Sequence, residues 1–310
     1  MKDNLLVSIA INNYNYGSFL PQAIDSALNQ TYPYTEVIVV DDGSTDNSRE
    51  IIASYGDKIT PVLKENGGQA SAFNAGFAAS QGDIICFLDS DDIFLPEKVT
   101  EVVKALGDRQ DLDWCFHPLR FVDIKLLDID TEKPITKSSH EGSLREYDLR
   151  TQLKKGKADK NFPYTSTSGL CFKRSLLNQI LPMPEAKGIS LNDGYLTFTS
   201  LGLSKGIVLN KKLGLYRIHD SNAHAMRKDQ RLVTARVTLL TAYWMRKKFP
   251  LLSNIANSLM ATALGIYIRN GGIAPDYQEL VKTHLGSVTL LEKFEIYMKA
   301  LYNYIKNPNY

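Results

Sequence analysis

Cysteine is scarce: there are three in 310 residues, Cys86, Cys115 and Cys171, each alone in apolar surroundings and none in a CxxC pair. That excludes a disulfide framework and a structural zinc site, and solitary thiols suit a reducing compartment. No continuous apolar run reaches the ~18–20 residues that a membrane span needs. The stretch Leu5–Ile11 near the start is too short for a secretory leader and has no small-residue cleavage site. The expectation is a cytoplasmic protein. No Gly-x-Gly-x-x-Gly follows any apolar run, which sets aside a Rossmann dehydrogenase. Excess charge is missing too. Lys and Arg number 36 against 34 Asp and Glu, with 44% apolar and 23% charged residues, which is ordinary globular usage.

The near balance of charge conceals a division. Residues 226–310 carry 12 Lys and Arg against 5 Asp and Glu, a net of +7, whereas residues 1–225 carry 24 against 29, a net of −5. An acidic front and a basic back point to two parts with different partners. The apolar pattern divides the same way. Four β-prone runs, Leu5–Ile11, Val37–Val40, Ile59–Leu63 and Ile84–Leu88, alternate with four helical segments: Phe19–Asn29, one capped at Thr45–Ser48 and running to Tyr55, Gln69–Ala79, and Pro96–Leu106. Strands apolar on both faces and separated by helices predict a parallel sheet covered on both sides. Trp114–Ile124 reads as a further strand region, Leu127–Asn161 as a long polar loop, and Pro163–His219 as a return to strand and helix. Arg231–Lys248, Ile255–Arg269 and Leu290–Ile305 are helical by period and composition. The expected division is an α/β domain over 1–225 and a helical extension over 226–310.

In such a sheet ligands bind beyond the carboxyl ends of the strands. There the chain places Asn12–Gly17, Asp41–Asp46, Asn66-Gly67-Gly68 and Asp89-Ser90-Asp91-Asp92. Two acidic clusters on one edge repel each other unless a cation or hydrogen-bond donors lie between them. Carboxylates two apart at a strand exit suit a hard divalent ion, Mg²⁺ or Mn²⁺, which commonly shares its shell with phosphates. Asp also caps turns and helices, and Asp42-Gly43 is a turn dipeptide anywhere.

Taken together, Val7–Ile11, Tyr14-Asn15, Leu20–Tyr32, Glu36–Asp46, Asn74-Ala75-Gly76 and Gly82–Asp92 with Pro96 resemble glycosyltransferase family 2. The likeness is strong over residues 5–106 and weaker over 165–220. It implies a GT-A fold, a Rossmann-like and mostly parallel sheet flanked by helices, and inverting transfer from a nucleotide-sugar with Mn²⁺ or Mg²⁺. By that resemblance Asn13 and Tyr14 lie by the base, and Asp41 or Asp42 bonds a uracil-type ring or ribose. The same resemblance implies that Asp91 would be the direct metal ligand, with Asp89 on ribose or metal, the DxD motif. Tyr216-Arg217-Ile218-His219 is similar to a Tyr-Arg-x-His segment in which Arg217 clamps phosphate oxygens and His219 completes the metal sphere or touches the diphosphate. Two departures stand out. Asn12-Asn13 replaces the usual Pro-Thr. Phe73 replaces an Arg, leaving Lys64 or Arg217 to make the cationic contact to the diphosphate.

Inverting transfer needs a general base for the acceptor hydroxyl. The resemblance places it at Asp193, opening a helix about a hundred residues after the DxD motif, with Asn192 where the first of two carboxylates usually stands. Asp193 also reads as a plain helix cap, and the hydroxyl-rich Thr165–Gly169 as either acceptor lining or an ordinary loop. The remaining histidines, His117, His140, His224 and His284, carry no spacing signal. Two other classes compete. A nucleotidyltransferase would carry a Gly-rich phosphate loop after the first strand, where Asn12–Gly17 has one glycine and no basic residue. A non-catalytic sugar-nucleotide-binding protein would not need Asp89, Asp91 and Asp193 together. The basic and aromatic C-terminal helices, with Arg246-Lys247-Lys248 and Phe294–Tyr304, suit either an anionic inner-membrane face bearing a lipid-linked acceptor or packing on protein, including a second subunit. Nucleic acid fits poorly.

Overall fold

The structure, a computed structural model, describes residues 4–128, 142–185, 191–220, 222 and 229–306. The chain forms two compact units. The first comprises Met1–Asp148, Asn161–Glu185 and Ser204–His219, and the second Leu149–Lys160, Ala186–Leu203 and Asp220–Tyr310. The expected boundary at residue 225 lies outside the described residues, as do His140 and His224.

In chain order the elements begin with β1 (Val7–Asn13), α1 (Leu20–Leu28), β2 (Thr35–Asp42), α2 (Ser48–Ser54), β3 (Thr60–Lys64), α3 (Gln69–Ala79), β4 (Ile84–Asp89), β5 (Ile93–Phe94), α4 (Lys98–Leu106), β6 (Trp114–Phe116), β7 (Arg120–Val122) and β8 (Leu144–Tyr147). They continue with α5 (Arg150–Lys154), β9 (Leu170–Lys173), α6 (Arg174–Ile180), α7 (Asp193–Leu203), β10 (Gly206–Leu209), β11 (Gly214–Arg217), α8 (Gln230–Lys248), α9 (Ser253–Arg269), α10 (Pro275–Gly286) and α11 (Leu290–Lys306). The polar stretch 127–161 is therefore no plain loop. Its described part holds β8, whose backbone pairs with β10, and α5, whose Leu153 is buried.

In the first unit eight strands form one sheet in the order β3-β2-β1-β4-β9-β6-β10-β8. The pairs β3/β2, β2/β1, β1/β4 and β6/β10 are parallel. β9 enters antiparallel between β4 and β6. The run Val7–Asn13 is buried along its whole length, as a strand covered on both faces must be. On one face Leu20, Ala23, Ile24 and Ala27 of α1, set at helical spacing, join the core with Ile9, Ile11 and Val39. On the other, Ala72 of α3 packs with Ile38 and Val40. The three cysteines sit in one row across three strands, Cys86 opposite Cys171 and Cys171 opposite Cys115, and all are fully buried. A second sheet of three short strands, β5-β11-β7, lies in the same unit. It ties the chain just after the acidic run, through β5, to Leu215 of β11.

The second unit is helical, with α9 packed between α8 and α11. Pro250–Arg269 is long and apolar enough to cross a membrane by length and composition, although 67% of its most apolar 18-residue window is buried within the protein. Met260, Ala263, Leu264 and Ile266 form that inner surface, which marks α9 as a core helix.

Candidate functional site

The site grows from the carboxyl ends of β1, β2 and β4. Asn13, the last residue of β1, donates from Nδ2 to Asp41 Oδ1 at 3.0 Å and to Ser44 Oγ at 3.2 Å. Asp41 is fully buried, and its Oδ2 also accepts from Arg49 Nε at 2.8 Å and the Ser44 N–H at 3.1 Å. Burial alone would raise its pKa. The hydrogen bonds from Ser44, Arg49 and Asn13 outweigh that and hold it below the usual carboxylate range. The next loop is fixed by the same means. The Gly17 N–H donates to Asp46 at 2.8 Å, and the Thr45 N–H to Asn15 Oδ1 at 2.7 Å. Tyr14, on top of this floor, is exposed.

Asp42 is turned to a different task. Its carboxylate accepts from Lys64 Nζ at 2.6 Å, the Gly67 N–H at 3.0 Å and the Gly68 N–H at 2.7 Å. It thereby latches the 66–68 loop that leads into α3. Gly43 makes the turn possible, with φ at +80° and Asn66 N so close that a Cβ would approach it to 2.6 Å. Lys64, one of two cations expected at the diphosphate, is engaged with this latch.

The second part is the loop Asp89–Asp92. Because β5 follows it directly and pairs with β11, the end of β11 comes to lie beside the acids. His219 Nε2 sits 3.1 Å from Asp91 Oδ2, both groups nearly buried. The Arg217 N–H donates to Asp92 Oδ1 at 3.1 Å, and Ser168 Oγ donates to Asp92 Oδ2 at 2.6 Å while accepting the Asp89 N–H at 3.2 Å. Complete burial, and then the charge of Asp91, push Asp92 well above the carboxylate range, against Ser168 and Arg217. Tyr16 reports the same convergence. Its hydroxyl is pushed far up by burial and then by the charges of Asp91, Asp89 and Asp92. The Arg217 guanidinium lies 4.8 Å over the Phe19 ring and donates to Gln22 Oε1 at 2.6 Å. Phe19 stacks on His219 with ring centroids 4.5 Å apart.

The structure thus brings Asn13 together with Asp41, and Asp91 with His219, Asp92 and Arg217. Asp193 belongs to the second unit, as the first residue of α7. Asn192 takes the capping part there, its Oδ1 accepting the Gly194 N–H at 3.0 Å, and Asp193 is left half-buried in the first turn. Ser168, read as acceptor lining or plain loop, braces the acidic loop instead. Sequence reasoning passed over Arg49, Tyr16, Phe19, Gln22 and Asp92. Asp92, as the last acid of the same run, carried a usable signal, and the others read as ordinary loop or helix residues.

The donor chemistry suits a divalent ion. A carboxylate oxygen and an imidazole nitrogen stand 3.1 Å apart in a nearly buried setting, and both are groups that can ligate a divalent ion. Among the described residues no group of three His, Cys, Asp or Glu is arranged to hold an ion alone. An ion here would therefore draw Asp91 and His219 from the protein and the rest of its shell from water or phosphate.

The chain matches the family model described as Glycosyl transferase family 2 over residues 8–181. It is 37% identical over 223 residues to an uncharacterized glycosyltransferase of Nostoc sp., which covers 70% of this chain and 66% of that protein. An uncharacterized glycosyltransferase of Rickettsia prowazekii is 40% identical over 147 residues, covering 46% of each. The matched parts thus span about two thirds of the first relative's length and under half of the second's. In fold the chain is similar to S. aureus TarS 1-349 in complex with UDP-GlcNAc, with TM-score 0.63, 19% identity and coverage of 97% and 89% of the two chains. It is also similar to a mannosyltransferase of Pyrobaculum calidifontis in complex with GDP-Man and Mn²⁺, with TM-score 0.52, 16% identity and coverage of 99% and 89%.

Proposed function

The chain belongs to glycosyltransferase family 2, and from that premise we propose that it transfers a sugar, with inversion, from a nucleoside-diphosphate sugar to a hydroxyl of a saccharide or lipid-linked acceptor. The observation that carries this reading is the meeting of Asp91 with His219 at 3.1 Å, beside Arg217 and Asp92, on the same sheet edge as the Asn13–Asp41 pair. One end of the site offers neutral and acidic hydrogen-bonding groups of the kind that read a base and ribose. The other gathers the charges that a diphosphate requires.

The donor base is taken as uracil. Asp41, held ionised by Arg49 and Ser44, fixes Asn13 beside the exposed Tyr14, by which a base would lie, and UDP-GlcNAc is the ligand of the TarS complex. The metal is taken as Mn²⁺ or Mg²⁺, as in the mannosyltransferase complex with Mn²⁺. Bound at Asp91 and His219, it would neutralise the charge of the departing diphosphate. Arg217, held over Phe19, adds fixed positive charge nearby at no cost of reorganisation during reaction. Ser168 and the Arg217 backbone hold Asp92 in place, so the loop that presents Asp91 is fixed before a ligand arrives. Asp193 takes the acceptor proton. At the start of a helix its charged form is favoured, which supplies the deprotonated state a base requires. The setting that suits such a reaction is the cytoplasm, in assembly of a bacterial-type polysaccharide or glycolipid.

The test is a screen of UDP-, dTDP- and GDP-sugars for hydrolysis and transfer in Mn²⁺, in Mg²⁺ and in chelator. Metal-dependent turnover of a UDP-sugar with inverted product is the expected result. Metal-independent turnover or retained configuration would refute the corresponding part.

A further inference from the structure

The last helix has two apolar sides. Ile296 and Ala300 of α11 are almost completely buried, on the side where α11 packs against α9. On the opposite side Leu290, Phe294, Met298, Leu301, Tyr302 and Ile305 recur at helical spacing and remain 48–88% exposed. No charged residue interrupts them. At ~150–250 Å² for a fully exposed aromatic side chain, and less for Leu, Ile and Met, this face and its neighbours Leu291 and Tyr297 leave on the order of 800 Å² of apolar surface open. The largest apolar patch on an ordinary monomer is about 300–600 Å². A standard interface takes about 800 Å² from each partner. Ile296 and Ala300 are the buried apolar residues of α11, whereas Leu290, Phe294, Met298, Leu301 and Ile305 of the outer face stay exposed.

The surrounding charge selects the occupant. An anionic lipid surface asks for a rim of cations. Among the described side chains of α11 beside this face, Lys293 and Glu295 carry opposite signs, and Arg269 of α9 is held on Tyr304, over its ring and at its carbonyl. Lys299 turns back to Ser258 Oγ at 3.2 Å. Glu292 closes a capping box with Thr289, whose N–H donates to it at 2.8 Å. A continuous apolar face edged by charges of both signs can pair with its own copy, as a two-fold contact between identical patches requires. Aromatic residues and methionine, which line this face, are those enriched at protein interfaces.

We propose that α11 is the dimer interface of this protein, its outer face packing against the same face of a second copy. The contact is independent of the reaction proposed above.

Sedimentation of the whole chain over a range of concentrations tests it. The wild type is expected to move from the mass of one chain to that of two as concentration rises. The double variant Phe294→Glu, Leu301→Glu should stay at one chain while keeping its helical circular dichroism and melting temperature, because both side chains are exposed in the single chain. A second variant, Met298→Cys, in the middle of the face, should give a two-chain disulfide on a non-reducing gel under mild oxidant. A wild type that sediments as one chain throughout overturns the proposal. So does a double variant that still dimerises, since another surface is then responsible. Wild type that stays single but co-sediments with phosphatidylglycerol vesicles, in a manner lost in the double variant, assigns the face to lipid instead and likewise overturns it.

Discussion

Asp193→Asn retains the size and hydrogen-bonding ability of the side chain at the start of α7 while removing its basicity. With Asn192 already making the cap, the helix should be unaffected. Turnover is expected to fall by ~10²-fold or more with nucleotide affinity near wild type, which steady-state kinetics and a UDP titration would separate. His117 and His284 make a different prediction. Burial first, then the charge of Lys98, push His117 down to about 3. Burial and then Arg246 push His284 down to about 4. Both are neutral in the folded chain and take up a proton near pH ~6.5 once unfolded. Their folded pKa values are depressed, so the stability they contribute is complete above pH ~6.5 and is lost as pH falls towards 4. In that window each group steepens the decline by up to ~1.4 kcal/mol per pH unit. Urea midpoints measured between pH 7 and pH 4.5 should fall markedly for the wild type and less steeply for His117→Asn. Equal slopes would show that His117 is not held neutral.

At the scale of elements the latch at the end of β2 is the sharpest case. Gly43→Ala must place a Cβ 2.6 Å from Asn66 N at a φ of +80°, a strain of about 1–3 kcal/mol. A lower melting temperature is expected, together with weaker nucleotide binding as the 66–68 loop loses its register with Asp42. The helices and strands around this latch were legible in the sequence. Gln69–Ala79 forms α3 as expected, and the long periodic runs became α8, α9 and α11 within two residues of the expected ends. Elements that rest on distant partners were not legible. β5 is two residues long and exists because Ile93 and Phe94 meet β11, some 120 residues later. β8 lies in a polar run and is a strand because β10 supplies its ladder. The same reason divides the site. Asp41, Asp89 and Asp91 could be found as acids ending apolar runs. The meeting of His219 with Asp91 depends on that β5–β11 pairing, for which local pattern gives no signal, and only the family resemblance pointed to it. The α10 helix, short and polar on most of its surface, escaped periodicity altogether.

For the molecule as a whole, a ligand that binds only the folded chain must stabilise it. UDP with Mn²⁺ at about one hundred times its dissociation constant should add ~2.7 kcal/mol, read as a rise in melting temperature that chelator abolishes. UDP alone should do markedly less, since Asp91 and the diphosphate repel each other without the cation. Thermal shift in the four combinations of nucleotide and metal checks this. The row of Cys86, Cys171 and Cys115 across β4, β9 and β6 has a consequence of another kind. Three adjacent strands each carry one thiol, and none of the three is accessible. A bulky maleimide can therefore reach one of them only when the middle of the sheet parts, and that event uncovers the other two. The chain thus carries its own chemical clock for the opening of its core, with an all-or-none dial. Sampled over time under native conditions, intact-mass spectra should contain chains with no label and chains with three, with singly and doubly labelled species scarce.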